Sequence, residues 1–499
     1  MRMSYRFASM NAGALPAALL IAAFVWAAPG FADGIGAGRP AQATPAGPTV
    51  ALVGATLIDG TGRTPVPNSV VVVSGGRVIM AGPRATTPIP RNAGVLDVSG
   101  RWIIPGMIDA HVHFHETGRI YTSPGALDLT RIVSYDDEIA WMKKRVPVTL
   151  ARYLCAGVTT AVSVGGPHFE YEVRDAADRL DKAPNVFIGH GPITAVRIGH
   201  DIFPPIDGDE ATRFIASDDD ARAEVRRAVA WHADLIKAGY LGTAFANRLQ
   251  AQHPGEAAEE AESHFFELLP AIVAEAHAHG LHVTIHVTEL DAAKQSLRAG
   301  VDSLAHTVTD KVVDDEFLRL ARARHVAIMG TLAEIMRPVE ARTGNIQLTE
   351  MESRCGDSEV IRSWSEVKHL PPVSAGEKAS AAGRQATAMV NVKKIHDFGI
   401  ALVVGTDSGN LGMLHGASIH KEIELLRTAG IPPMDIIMAA TSNAAKIAGK
   451  EAEIGTLEPG KRADLVILER DPLADIRNTS AILSVMKGGR LFSEADLLP

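Results

Sequence analysis

The middle of the chain alternates between short runs rich in β-branched residues and longer segments rich in Ala, Leu and Glu. Eight short runs are predicted strands: 102–111, 157–164, 185–190, 233–239, 282–287, 301–306, 325–330 and 401–407. Helices are predicted at 224–231, 265–279, 292–299, 315–324 and 381–396. Strands that alternate with helices form parallel sheets. Eight such units predict an α/β fold, a (β/α)8 TIM-type barrel, whose active site lies at the carboxyl ends of the strands.

Short β-type segments, separated by Gly and Pro, flank this region on both sides. Residues 49–104 and 456–499 are therefore predicted to form one small β-sandwich domain, with the barrel of residues 105–455 inserted between its two parts. A chain of 499 residues, 46% of them apolar, can bury cores of this size. The segments 116–150 and 331–380 contain no predicted strand and are expected to be long loops over the active-site face.

The first 32 residues have a different composition. Two arginines precede a largely apolar run at 14–28, and small residues follow it. This order is typical of a secretory signal peptide, here residues 1–32, with cleavage expected between Ala32 and Asp33. The apolar run is short for a membrane span, although an uncleaved signal anchor is the alternative. Residues 33–48 are predicted to be a linker, and the mature protein to be periplasmic or secreted, without stable membrane insertion.

Charge and cysteine content narrow the class of protein further. The formal net charge is −9 and there is no long basic run, which argues against a nucleic-acid partner. The only cysteines are Cys155 and Cys355, too few for a disulfide framework in a chain of this size. Cys155 is expected to be a small buried apolar residue. The sequence leaves open whether the two cysteines pair.

Potential metal ligands stand at the ends of five predicted strands. They are His111, His113, Lys237, His286, His306 and Asp407. Each of these residues alone has an ordinary structural explanation, such as a hydrogen-bonded histidine or a turn aspartate. Because a barrel brings the carboxyl ends of its strands to one mouth, the six side chains are expected to meet there. Imidazole and carboxylate ligands suit zinc-like divalent ions.

Over nearly all of the predicted mature chain, the sequence resembles the amidohydrolase superfamily, in its imidazolonepropionase-like and metallo-dipeptidase branch. The resemblance rests on the segments "PGMIDAHVHFH", "AGVTT", "HADLIK", "EAHAHGLHVTIHV", "GVDSLAH", "GTDSG", "SNAAKIAG" and "GTLEPGKRADLVIL". It implies a pair of divalent metal ions, zinc foremost, and a homo-oligomeric protein.

The resemblance also implies a role for each strand-end residue. His111 and His113 would bind the first ion, and His286 and His306 the second. Lys237 matches the family lysine that reacts with carbon dioxide, and its carbamate would bridge both ions. A carbamate can ligate a cation, whereas an ammonium group cannot.

Asp407 would bind the first ion and act in catalysis. Two divalent ions lower the pKa of a bridging water, so that hydroxide is available near neutral pH. This hydroxide would attack the substrate carbonyl. Asp407 would take the proton and return it to the leaving nitrogen, as general base and then general acid.

Other residues are predicted on the rim of the site. His200 resembles a family loop histidine and is a candidate to bind the substrate carbonyl or oxyanion. Arg197 and Tyr240 could bind a substrate carboxylate, with Arg197 forming a bidentate pair. His115 continues the alternation of His111 and His113, but it follows the end of the strand and is not expected to be a ligand.

These features predict an exported, binuclear, metal-dependent amidohydrolase that cleaves C–N amide bonds of small aminoacyl or N-acyl-amino-acid substrates, as a dipeptidase or carboxypeptidase does. The alternatives are a hydrolase of cyclic amides, lactones or phosphotriesters, since the same pair of metal ions serves all of these reactions. A more remote alternative is a non-catalytic scaffold.

Overall fold

The structure is a computed structural model that describes residues 48–124, 127–196, 204–242, 258–366, 370 and 372–498. Within these residues, nine strands from the two ends of the chain lie outside the barrel. They are β1 (Val50–Val53), β2 (Thr56–Leu57), β3 (Ser69–Ser74), β4 (Arg77–Pro83), β5 (Gly94–Asp97), β6 (Trp102–Pro105), β16 (Leu465–Leu468), β17 (Ile482–Lys487) and β18 (Arg490–Phe492). The predicted signal peptide lies outside the described residues, as does all but the last residue of the predicted linker.

These nine strands form two sheets. One has the order β4-β3-β1-β5 and uses only the N-terminal part of the chain, whereas the other has the order β18-β17-β16-β6-β2 and combines both ends. In the second sheet, β6 runs antiparallel to β16, with Pro105 opposite Leu465. Leu52 and Val73 of the first sheet share one buried cluster with Ile103 of the second, so the two sheets enclose a common apolar core.

The barrel consists of eight parallel strands in chain order. They are β7 (Met107–Val112), β8 (Val158–Ser163), β9 (Asn185–Thr194), β11 (Leu235–Gly239), β12 (His282–His286), β13 (Ser303–Leu304), β14 (Ala327–Met329) and β15 (Leu402–Val403), while β10 (Arg213–Phe214) adds a short pairing to β9. Hydrogen bonds between β7 and the segment after β15 bring the first and last strands together, for example from Ala110 N–H to the Val404 carbonyl at 3.1 Å. The predicted α/β barrel with a small β domain is confirmed.

The first predicted strand, 102–111, is wrong as a single element. It is divided into β6, in the small sheet, and β7, in the barrel. The division falls at Gly106, whose N–H donates to the Asp464 carbonyl at 2.9 Å. A Cβ at this position would lie 2.1 Å from Oγ1 of Thr159, so only glycine lets the chain pass this close to β8.

Helices cover the outside of the barrel and fill its long connections. They are α1 (Tyr135–Cys155), α2 (Phe169–Ala177), α3 (Asp218–Ala230), α4 (Ala258–Ala278), α5 (Leu290–Ala299), α6 (Asp315–Ala323), α7 (Leu332–Thr343), α8 (Glu350–Cys355), α9 (Ser358–Ser363), α10 (Ala375–Asp397), α11 (Ile419–Thr428), α12 (Pro433–Ala439), α13 (Ser442–Ala445) and α14 (Glu494–Leu497), with 3-10 turns at Lys446–Ala448 and Ile476–Ser480. None of the helices in the described part of the chain is both long enough and apolar enough to cross a membrane.

Both segments expected to be long loops contain helices. The first contains the start of α1, where Ser134 accepts a hydrogen bond from the Asp137 N–H at 3.1 Å. The second contains α7, α8 and α9, and α8 begins with a capping box formed by Thr349 and Glu352. The loop prediction overlooked these N-cap signals, which are readable in the sequence as Ser or Thr followed three residues later by an acid.

A disulfide connects two of these helices. Cys155 at the end of α1 is bonded to Cys355 at the end of α8, across 200 residues of sequence and with Cα atoms 5.8 Å apart. Cys155 is buried as expected, and the question of pairing that the sequence left open is answered by the structure.

Candidate metal centre

His111, His113 and Asp407 meet at the mouth of the barrel. His111 lies in β7, and His113 follows β7 on the same face. Nε2 of each imidazole is 3.2 Å from Oδ1 of Asp407. One ligand atom from each of the three residues can be chosen so that all three lie within 4.8 Å of one another. We call these three residues the aspartate group.

Backbone carbonyls orient both imidazoles of this group. Nδ1 of His111 is 2.9 Å from the Ala305 carbonyl, and Nδ1 of His113 is 2.9 Å from the Gly165 carbonyl. A carbonyl can only accept, so each Nδ1 carries the proton and donates it. Nε2 of each ring is therefore the atom that would bind a metal ion, and it points at Asp407. Metal-binding histidines are usually oriented by such a bond from the other ring nitrogen.

The turn that carries Asp407 is bound to β7. Asp407 has a φ of +61°, in the left-handed region, and its N–H donates to the His111 carbonyl at 2.8 Å. The fully buried carboxyl of Asp109 accepts hydrogen bonds from Thr406, from N–H at 3.1 Å and from Oγ1 at 2.6 Å. These bonds hold a conformation that is uncommon for a residue with a side chain, so the carboxyl of Asp407 is placed before any ligand binds.

The buried atoms of the aspartate group fit a cation. Nε2 of His111 and Oδ1 of Asp407 are both buried without a hydrogen-bond partner, although they are close to each other. Leaving one such atom unpaired costs about 1–3 kcal/mol. Burial opposes a charged imidazole at His113, but Asp407 raises its pKa to about 9. The group therefore favours a positive charge at neutral pH. A divalent ion between Nε2 of His111 and Oδ1 of Asp407 would supply that charge and give both buried atoms a partner.

Lys237, His286 and His306 form the other part of the centre, which we call the lysine group. Contacts between imidazole rings connect it to the aspartate group. The ring centroids of His286 and His306 are 4.5 Å apart, and those of His306 and His111 are 4.9 Å apart. Lys237 is 2% exposed and His306 is 5% exposed. Burial lowers the pKa of His286 to about 3 and that of Lys237 to about 7.

The charges explain why the lysine group differs from the aspartate group. Its three residues include no carboxylate, and Lys237 is close enough to lower the pKa of His286. Two neutral imidazoles and an amine can coordinate a divalent ion, but they do not neutralise its charge. The lysine group would fit such an ion far better if Lys237 carried an anionic modification.

Two contacts of the centre were not predicted from the sequence. Nδ1 of His306 is 2.8 Å from Oγ1 of Thr331, which follows β14. His115, which was not expected to be a ligand, directs Nδ1 at the buried Glu170, 2.7 Å away, and these two residues form a second potential metal-binding group with His113. The sequence offered Glu170 only as an acid six residues after the predicted strand 157–164, and it offered no signal for Thr331.

Of the three predicted rim residues, only Tyr240 lies in the described part of the chain. Arg197 and His200 lie outside the described residues. Tyr240 follows β11 as expected, and its hydroxyl donates to Oε2 of Glu289 at 3.2 Å. Within the described residues, the structure thus brings together all six predicted ligands. It pairs Tyr240 with Glu289, which follows the next barrel strand, β12.

The comparisons with known proteins agree with this geometry. A sequence model described as "Amidohydrolase family" matches residues 102–492. An imidazolonepropionase from Rhizorhabdus wittichii is 27% identical over 445 residues, which is 84% of this chain and 92% of the relative. The chain therefore belongs to the amidohydrolase family. It is a hydrolase that acts on C–N bonds.

Two solved structures show the same fold. The crystal structure of ochratoxinase from Aspergillus niger has a TM-score of 0.68 at 20% identity and covers 89% of this chain and 96% of its own. A Xaa-Pro dipeptidase with methionine bound in its active site has a TM-score of 0.66 at 21% identity, covering 89% and 100%. At these identities the likeness concerns the fold.

Proposed function

We propose that this protein is an exported amidase with two divalent metal ions, and that it cleaves aminoacyl or N-acyl-amino-acid substrates. One observation carries the proposal. Four histidines from three strand ends around the barrel mouth form an unbroken series of ring contacts, from His113 through His111 and His306 to His286. A structural core has no need of four adjacent imidazoles, whereas a pair of zinc-like ions has.

The two groups would hold one ion each. When bound, the ions would polarise the substrate carbonyl and lower the pKa of a water molecule. The facing His111 and His113 hold the pKa of Asp407 well below its usual value despite burial, so that it is ionised. Asp407 is then the carboxylate placed to take the proton of the attacking water. It then delivers this proton to the leaving nitrogen, since an amine is a poor leaving group until it is protonated.

Lys237 would complete the lysine group as a carbamate. A neutral lysine amine adds to carbon dioxide, forming a C–N bond and releasing one proton. Burial lowers the pKa of Lys237 to about 7, so a large fraction of the amine is neutral at physiological pH. The product is an anion that supplies the negative charge missing from this group.

The substrate class is supported by the rim and by the relatives. The Xaa-Pro dipeptidase shares the fold, and Tyr240 provides a hydroxyl beside the strand that carries Lys237. A second candidate is the opening of a cyclic amide. The similarity to an imidazolonepropionase, which covers 84% of this chain and whose name specifies an imidazolone ring, favours it.

The disulfide supports the proposal of export. Stable structural disulfides are rare in the reducing cytosol and common in secreted and periplasmic proteins. The bond between Cys155 and Cys355 therefore agrees with removal of residues 1–32 on the way out of the cytoplasm. N-terminal sequencing of the exported protein is expected to begin near Asp33, and an intact Met1 in the membrane fraction would favour an anchor instead.

Hydrolysis of matched substrates tests the proposed activity. The zinc-loaded protein is expected to contain close to two ions per chain and to cleave an N-acyl amino acid faster than the corresponding carboxamide. Tyr240→Phe should reduce that preference several-fold, which corresponds to the loss of one hydrogen bond. Equal rates with the acid and the carboxamide in the wild type would favour the cyclic amide, and one ion or fewer after reloading would reject the binuclear site.

A further inference from the structure

Thr331 stands at the N-terminus of α7 but does not cap it. An N-cap threonine normally accepts a hydrogen bond from the N–H of the second or third helical residue. Thr331 makes no such bond, and its φ is +43°, a conformation that β-branched residues rarely adopt. Its hydroxyl is directed instead at Nδ1 of His306, 2.8 Å away. Some other group must therefore satisfy the start of the helix.

Glu422 supplies the missing cap. It projects from α11 and is fully buried, and its Oε2 accepts a hydrogen bond from the N–H of Ala333, the second residue of α7, at 2.9 Å. A Cβ at Gly330 would lie 2.5 Å from Oε1 of Glu422, so the chain before the helix also accommodates this carboxyl. A carboxyl at a helix N-terminus is favoured by the partial positive charge of the exposed N–H groups.

We propose that Glu422 is a positioning residue for the lysine group. By capping α7 in place of Thr331, it leaves the threonine hydroxyl free to accept a hydrogen bond from Nδ1–H of His306. That bond fixes the ring and its tautomer, so that Nε2 carries the lone pair that a metal ion requires. The inference rests on the proposed function, because it takes His306 as a ligand of the second ion.

Three variants of the full chain separate this role from simple stabilisation. Thr331→Val removes the hydroxyl and keeps the shape, Glu422→Leu removes the acceptor, and Glu422→Gln keeps an acceptor oxygen for Ala333. We expect the first two to weaken binding of the second zinc ion about 10- to 100-fold, measured by competition with a chelator. The glutamine variant should stay within about threefold of the wild type. Binding of the first ion should change little in all three.

The double variant tests whether the two residues act in one path. If Glu422 acts through Thr331, then Thr331→Val combined with Glu422→Leu should bind the second ion no more weakly than Thr331→Val alone. Should Glu422→Leu fail to fold, Gly330→Ala displaces the same carboxyl without removing it, and it should give the same loss. The proposal would be overturned if the losses of second-ion affinity in the two single variants multiplied in the double variant. It would also be overturned if the variants had a lower melting temperature with unchanged metal affinity.

The tautomer of His306 gives a readout that does not depend on metal. In the chelator-treated protein, 15N NMR of the imidazole should show Nδ1 protonated in the wild type and a mixture of tautomers in Thr331→Val and Glu422→Leu. An unchanged tautomer in both variants would also overturn the proposal. If the tautomer shifts as expected but the wild type never binds a second ion, then it is the proposed function that fails, and the effect of Glu422 on His306 remains.

Discussion

The two groups of the centre reach the same barrel mouth in different ways. The aspartate group is complete in the protein chain, because its imidazoles are oriented by backbone carbonyls and face a carboxylate at 3.2 Å. The lysine group has two imidazoles and an amine whose pKa burial lowers to about 7, and it has no carboxylate. One part of the site is therefore built by folding alone, whereas the other is expected to need a chemical addition.

The largest effect is expected from the aspartate group. Asp407→Asn removes the proton acceptor and one charged ligand, so kcat/KM should fall by roughly 10²–10⁴-fold, measured with zinc-loaded protein at fixed pH. Short carboxylic acids should not restore the activity, since the lost group must occupy one fixed position. Asp397→Asn, a change of the same kind at an exposed site paired with Lys393, is the control and should match the wild type.

A smaller and reversible effect is expected from the lysine group. Lys237→Ala should lose the second ion and on the order of 10²-fold in activity, because second-site affinity depends on the bridging anion. Millimolar formate or acetate should restore part of the activity by replacing the carbamate, and the same acids should not rescue His111→Ala. A Lys237→Ala protein with two ions and full activity in the absence of added acid would contradict the proposed carbamate.

Uptake of the second ion by the lysine group should depend on pH. Only the neutral amine of Lys237 reacts with carbon dioxide, and with a pKa near 7 its neutral fraction falls about tenfold between pH 8 and pH 6. His286 of the same group, whose pKa is lowered to about 3 by burial, stays neutral over this range, so that the amine is the group that titrates. Chelator-treated protein should therefore take up the second ion about tenfold more slowly at pH 6 than at pH 8, at constant dissolved carbon dioxide. Equal rates would show that the amine does not control uptake.

The smallest effect on catalysis is expected at the disulfide, which contacts neither group. Replacing Cys155 and Cys355 together by alanine should lower the free energy of unfolding by about 2–5 kcal/mol, measured by denaturant unfolding. The value of kcat/KM should stay within about twofold of the wild type at 25 °C. A large loss of activity in a folded variant would mean that α1 and α8 position the metal centre.

The residues of both groups could be predicted from the sequence, because strand ends in a barrel share one face. His286 and His306 end short apolar runs, and that local pattern is enough to place them at the mouth. The same argument predicted Lys237 and Asp407 as members of the site. The first barrel strand was predicted too long, since nothing local distinguishes β6 from β7, and their division depends on pairing with β16 more than 350 residues later.

Local periodicity and residue type at strand ends were enough to predict the barrel, the β domain made from both ends, and the identity of the six side chains. The tertiary structure decided how those side chains are held. The pairing of Cys155 with Cys355 spans 200 residues, and the contact between Glu422 and Ala333 spans 89. Such contacts depend on which surfaces pack together after folding, and a side chain at one of these positions has no local signal that names its partner.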